Sequence, residues 1–158
     1  MPTATSVAIA AATASATAAA AVLDTNVVLD WLVFADARVA QVAEAARDGR
    51  LRWVACARMR DELAAVLGRP QLARWSPDVA RVLRQFDTLA ERWPDPPSAT
   101  PPGHPLRCSD TDDQVFVDLA LAARTRWLLT HDRALLRLAR PAAARGLVVR
   151  PPQGWALD

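Results

Sequence analysis

The chain contains no lysine; all 19 of its basic residues are arginine. A mechanism that needs a lysine side chain is excluded. What remains is a set of planar guanidinium forks, which suit phosphate oxygens. A coding bias towards Ala and Arg accounts for most of this composition, but it does not stop individual arginines from meeting phosphate. Cysteine is nearly absent: Cys56 and Cys108 alone build neither a disulfide framework nor a thiolate metal site. Both are expected to be small buried side chains in a reducing, cytoplasmic compartment. No Lys or Arg precedes Arg38. The Ala/Thr/Ser-rich stretch 1–19 therefore lacks the positive start of an export signal and is expected to be a disordered tail. No stretch reads as a membrane span. The charge of +2 and pI near 9.0 are only mildly basic. An apolar fraction of 52% over 158 residues excludes a disordered chain and suits one domain with a full core.

Apolar runs alternate with helical periodicity. Strands are expected at roughly 20–24, 51–55, 127–130 and 147–149. Helical spacing marks 36–48, a segment carrying Met59, Leu63, Val66 and Leu67, and about 77–91. Another helix opens at Ser109-Asp110-Thr111-Asp112, which resembles a capping box, and a short one covers 133–139. Six prolines within 94–107 predict an extended loop. Strands alternating with helices imply an α/β fold with a parallel sheet and crossover helices.

Four acids stand where such a fold places ligands, beyond the carboxyl ends of the strands. Asp24 ends the run Ala20–Leu23, and Asp132 follows Trp127–His131. Glu62 and Asp113 share helix sides with Met59 and Val66, and with Phe116 and Ala120. Each has a structural alternative. Asp24 and Asp132 suit helix caps, and acids at 110, 112 and 113 suit a helix dipole regardless of function. Asp112 reads as the capping-box acid, while Asp30 and Asp61 read as solvated. His104 is expected to be exposed among its prolines, and His131 is a weaker candidate base. Oxygen-only ligands suit a hard divalent ion, Mg²⁺ or Mn²⁺, and so metal-dependent work on phosphodiesters.

The segments VLDTNVVLDWL (22–32), RMRDELAAVLGRP (58–70) and DDQVFVDLALAARTRWLLTHDRALL (112–136) resemble the PIN-domain family. They look most like its bacterial branch of toxins from toxin–antitoxin systems. The resemblance runs over roughly 20–150, leaving 151–158 as a C-terminal tail. It implies a PIN-like three-layer fold, a central parallel sheet flanked by helices. It also implies metal-dependent ribonuclease activity on an RNA substrate, a small antitoxin protein as partner, and a homodimer. The family's four acids fall on Asp24, Glu62, Asp113 and Asp132. Its accompanying hydroxyl and amide groups fall on Thr130, Thr25 and Asn26, with Asp112 a possible support. Arg124-Thr125-Arg126 departs from the Gly-containing turn common before the third strand.

Two rival readings fit less well. A phosphatase that begins with a strand and an Asp needs a second Asp two residues on and a Lys; Asn26 stands at the first position and the second is missing. A catalytically idle domain that only binds RNA or protein would not need all four acids. Arg69, Arg107 and Arg133 are candidate backbone holders.

Overall fold

The computed structural model describes residues 18–97, 103–104 and 106–157. The tail expected over 1–19 falls outside these residues, except that Ala19 already belongs to the first strand. Five strands form one sheet, in the order β3-β2-β1-β4-β5. They are β1 (Ala19–Leu23), β2 (Leu51–Cys56), β3 (Ala90–Trp93), β4 (Trp127–Leu129) and β5 (Val148–Arg150), and every pairing is parallel. β1 lies at the centre, with Ala21 in register with Trp53 on one side and Trp127 on the other. Its buried AAAVL sequence fits a strand covered on both faces.

Seven helices flank this sheet among the described residues: α1 (Thr25–Leu32), α2 (Ala40–Arg47), α3 (Ala57–Leu67), α4 (Val79–Leu89), α5 (Gln114–Ala122), α6 (Arg133–Leu136) and α7 (Ala139–Ala143). One aromatic stack fills the core where α1, β2 and α4 meet. Trp31 and Trp53 lie 5.3 Å apart and Trp53 and Phe86 5.0 Å, tilted and edge-on. The fully buried Phe116 anchors α5, which packs on β1, β2 and β4. Within the segment expected as a C-terminal tail, Trp155 is buried and meets Trp127 edge-on at 5.2 Å.

The structure corrects the sequence reading at several places. Residues 90–91 leave the expected helix and open β3, an edge strand not foreseen. Its exposed Glu91 and Arg92 give no apolar run, and the strand exists because β2 offers it an edge to pair with. The helix expected over 36–48 starts as a 3₁₀ turn, Ala37–Val39, and the one over 133–139 divides into α6 and α7. The cap before α5 is Asp110 rather than Ser109. Its carboxylate accepts from the Asp112 N–H at 3.0 Å and opens a 3₁₀ turn, Thr111–Asp113. Where the Gly turn is missing, Arg124 itself takes a left-handed φ of 52°. Thr125 steadies that turn by donating to the Trp127 carbonyl at 3.2 Å.

Candidate active site

β1 and β4 run side by side, so their ends place Asp24 and Thr130 together. The Asp24 N–H donates to the Leu129 carbonyl and the Thr130 N–H to the Arg150 carbonyl, both at 3.0 Å. These bonds carry the sheet one residue past its strands. Thr130 is fully buried and its hydroxyl donates to Asp24 Oδ2 at 2.7 Å. The Thr130 hydroxyl oxygen itself accepts from the Asp132 N–H at 2.9 Å. Asp132 Oδ1 in turn caps α6 through the Ala134 N–H at 2.7 Å. Thr130 thereby fixes two acids 108 positions apart in the chain, and the Asp24 side chain makes no cap hydrogen bond to α1.

Glu62 enters from α3. The Thr25 hydroxyl, at the first position of α1, donates to Glu62 Oε2 at 2.8 Å. Asp113 enters from the turn before α5 and is buried, whereas Asp112 beside it is exposed. Burial pushes the Asp24 carboxyl up to about 6. Bonds from Thr130 and the Thr25 backbone oppose that rise, and the charges of Glu62 and Asp132 add to it. Burial also leads in lifting Asp113 to about 7, helped by repulsion from Asp24, Asp132 and Asp110 and by a hydrogen bond with Asp132. Asp24 thus feels Glu62 and Asp132, and Asp113 feels Asp24 and Asp132.

Asn26, by contrast, is exposed. Asp61 is exposed as expected, but Asp30 is half-buried and 2.9 Å from His131 Nε2, so it is not simply solvated. His104 is also half-buried rather than exposed, with Nε2 2.9 Å from Asp118. Arg69, Arg107 and Arg133 are exposed, and both cysteines are buried and free. Three residues have roles that differ from the sequence reading or lie outside it. Asp110 adds charge beside Asp113, Asp30 holds His131, and Gln114 ties α5 to the preceding loop through Leu106 and Cys108. Only the position of Gln114 next to Asp113 offered a signal, and glutamine on a helix is too common to use.

The donor set is all oxygen and carries unbalanced negative charge, which fits a hard divalent cation. Among the described residues, no three His, Cys, Asp or Glu side chains already close on one point as a finished ligand cage. A small ion that retains several waters and takes one or two carboxylates directly does not require such a cage. No helix among the described residues is long and apolar enough to cross a membrane.

Comparison with known protein families matches residues 20–134 to the PIN domain. A search of curated proteins returns no match. PIN domains are typically nucleases that use divalent metal ions, which implies a nucleic-acid substrate. The match covers well over half of the chain, the parallel sheet is the family's fold, and the chain therefore belongs to the PIN-domain family.

Proposed function

We propose that the chain is a metal-dependent endoribonuclease that hydrolyses RNA phosphodiesters, and that it is the toxin of a toxin–antitoxin system. The observation that supports this reading is that Asp24 and Asp113 are pushed up by burial and by other acids, Asp24 by Glu62 and Asp132, and Asp113 by Asp24 and Asp132. Such a cluster is costly unless a cation joins it.

In this reading Asp24, Glu62, Asp113 and Asp132 would hold Mg²⁺ or Mn²⁺, some of them through water. The ion would supply a water of lowered pKa and charge stabilisation at the phosphate. Asp132 would orient the attacking water, held in place by its cap on α6. Thr130 keeps Asp24 and Asp132 in fixed relation, and Thr25 holds Glu62. Asp112 and Asn26 would serve at most as outer supports. The nuclease unit is taken as residues 20–150, acting in the cytoplasm as a homodimer and silenced by a small antitoxin.

Cleavage of single-stranded RNA in Mg²⁺, stopped by EDTA and absent in Asp24→Asn, tests the reading. Equal cleavage by wild type and variant would show a contaminant. One observation favours a second reading, an idle domain that only binds RNA or protein: no three acids form a closed cage among the described residues. Calorimetric titration with Mn²⁺ separates the two, because the idle domain would take up no ion. A small antitoxin-like reading frame beside this one would favour the toxin over a housekeeping nuclease.

A further inference from the structure

A basic groove lies away from the acids. It is open, about 470 Å³ in volume, and runs between α2 and α4, lined by Arg47, Arg81, Arg84, Gln85, Thr88 and Leu89. Arg47 is the last residue of α2, shortly before β2 begins at Leu51, and Leu89 immediately precedes β3. The strands are parallel, so these two residues mark the amino end of the sheet, whereas Asp24 and Asp132 follow the carboxyl ends of β1 and β4. The six residues of β2 put about 20 Å between the two ends.

The pattern of α4 builds one wall. Val82 and Phe86 are buried, while Arg81, Arg84, Gln85 and Thr88 recur at helical spacing on another face. Arg47, Arg81 and Arg84 are exposed, and no acid lines the groove. The acids nearest along the chain are engaged or elsewhere. Asp78 caps α4 through the Arg81 N–H at 3.1 Å, Arg60 forks onto Asp87, and Asp48 meets Arg50 at 3.2 Å. Glu44, a turn before Arg47, is exposed and outside the lining. The Arg81 and Arg84 side chains have no hydrogen bond or ion pair among the described residues. Arg47 lies over the Trp31 ring at 5.5 Å, a contact made by its flat face and not with an acid. Beyond the described residues only Asp158 is acidic. The groove therefore gathers like charges that repel one another.

We propose that this groove holds backbone phosphates of the RNA, remote from the phosphate that is cut. The proposal rests on the ribonuclease reading for its ligand. Each guanidinium is a planar fork that matches two phosphate oxygens. Arg81 and Arg84, a turn apart, suit a ligand whose charge recurs along a chain. A protein partner would need an aromatic or aliphatic anchor seated in a dry pocket. The groove is open and its one apolar residue, Leu89, is half-buried. A phosphate backbone needs no such anchor, because its charge dominates binding. Contacts of this kind position the strand without reading its bases. Being remote from the acids, they act on binding and leave the chemical step alone.

The test uses the full chain and a labelled single-stranded RNA long enough to span both ends of the sheet. Binding is read by anisotropy in EDTA, so that no cleavage intervenes, over a series of salt concentrations. The double variant Arg81→Gln/Arg84→Gln should bind more weakly than wild type. Its slope of log affinity against log salt should be shallower by about 1.4, two phosphates at about 0.7 each. Arg81→Lys/Arg84→Lys keeps the charges and should keep most of the slope, which separates charge from a fold defect. In Mg²⁺ the Gln variant should raise KM and leave kcat unchanged. No RNA binding by wild type, a Gln variant with wild-type affinity and slope, or a Lys variant as weak as the Gln variant overturns the proposal. A polyglutamate peptide that binds wild type more tightly than the RNA, and loses that affinity in the Gln variant, overturns it in favour of an acidic protein partner. The two readings fail separately. A slope that falls as expected, with no RNA cleaved in Mg²⁺, sinks the nuclease and leaves the groove. Cleavage with an unchanged slope sinks the groove and leaves the nuclease.

Discussion

The lateral edge of the sheet and its carboxyl end use the same residue types to opposite effect. Along β2 and β3, Arg52 forks onto Glu91 at 2.6 and 2.8 Å. Arg60 forks onto Asp87 at 2.7 and 2.9 Å, and Arg92 reaches the same carboxylate at 3.2 Å. These hydrogen bonds hold Glu91 and Asp87 below the usual carboxylate range. At the carboxyl end, the donors to Asp24 are a hydroxyl and a backbone N–H, and the charges acting on it belong to Glu62 and Asp132. Its pKa therefore moves the other way. Paired surface acids serve solubility and add little stability. Buried acids left among other acids cost stability, and such imbalance is where ligand chemistry is found.

The largest effect should come from removing one charge of that cluster. Asp24→Asn is expected to lower cleavage by more than about 100-fold, beyond the usual loss for an outer-sphere partner. Yet it should raise the metal-free melting temperature at pH 8. The reason is linkage. Folded Asp24 and Asp113 keep protons to about 6 and 7, while the unfolded chain releases them near 4. Stability present at pH 4 is thus lost as pH rises through 6 and 7, by about 3 kcal/mol for Asp24 alone. Mg²⁺ should restore it at pH 8 and do little at pH 5. Thermal melts across that range check the sign. A metal-free wild type that grows more stable between pH 5 and 8, and an Asp24→Asn variant that melts lower at pH 8, would erase the contrast between the two regions.

Next comes a pair of neighbours. Asp113→Asn should abolish most cleavage and weaken Mn²⁺ binding, whereas Asp112→Asn should leave both close to wild type. Asp113 is buried among acids and Asp112 is exposed. Because Asp110 provides the cap, Asp110→Ala rather than the Asp112 change should cost about 1 kcal/mol of stability. Single-turnover cleavage and melts on the three variants decide. An inactive, folded Asp112→Asn beside an active Asp113→Asn would shift the third acid by one position.

Thr130→Val tests the link between strands. It removes the donor to Asp24 and the acceptor for the Asp132 N–H, with the shape nearly kept. A loss of about 1–3 kcal/mol is expected from buried groups left unpaired, together with weaker Mn²⁺ binding. Unchanged metal affinity in that variant would reduce Thr130 to packing.

The smallest effect is expected from Glu91→Gln on the lateral edge. It should lower the melting temperature slightly, more at low salt than at high salt, and leave metal affinity and cleavage untouched. A change in Mn²⁺ binding there would mean that the two regions are not electrically separate.

Much of this was legible in the sequence. The buried runs before Asp24 and Asp132, and the inward side of the helices bearing Glu62 and Asp113, follow from periodicity and from the chemistry of strand ends. The motif segments carried the family. What escaped was set by partners far along the chain. β3 has a polar sequence and becomes a strand by pairing with β2. Asp30 looked solvated until α1 brought it to His131, and His104 looked exposed until α5 supplied Asp118.

The sequence by itself determined the alternation of strands and helices, because burial must repeat with the period of each element. It also determined the kinds of donor available: carboxylates without lysine, and cysteines too few to ligate. Only the tertiary structure decided which carboxylates meet. Thr130 joins Asp24 to Asp132 and Thr25 joins Glu62 to α1, across separations that no local pattern encodes. The shifts at Asp24 and Asp113 belong to that same level, since desolvation and repulsion depend on what surrounds a charge in space rather than on its neighbours along the chain.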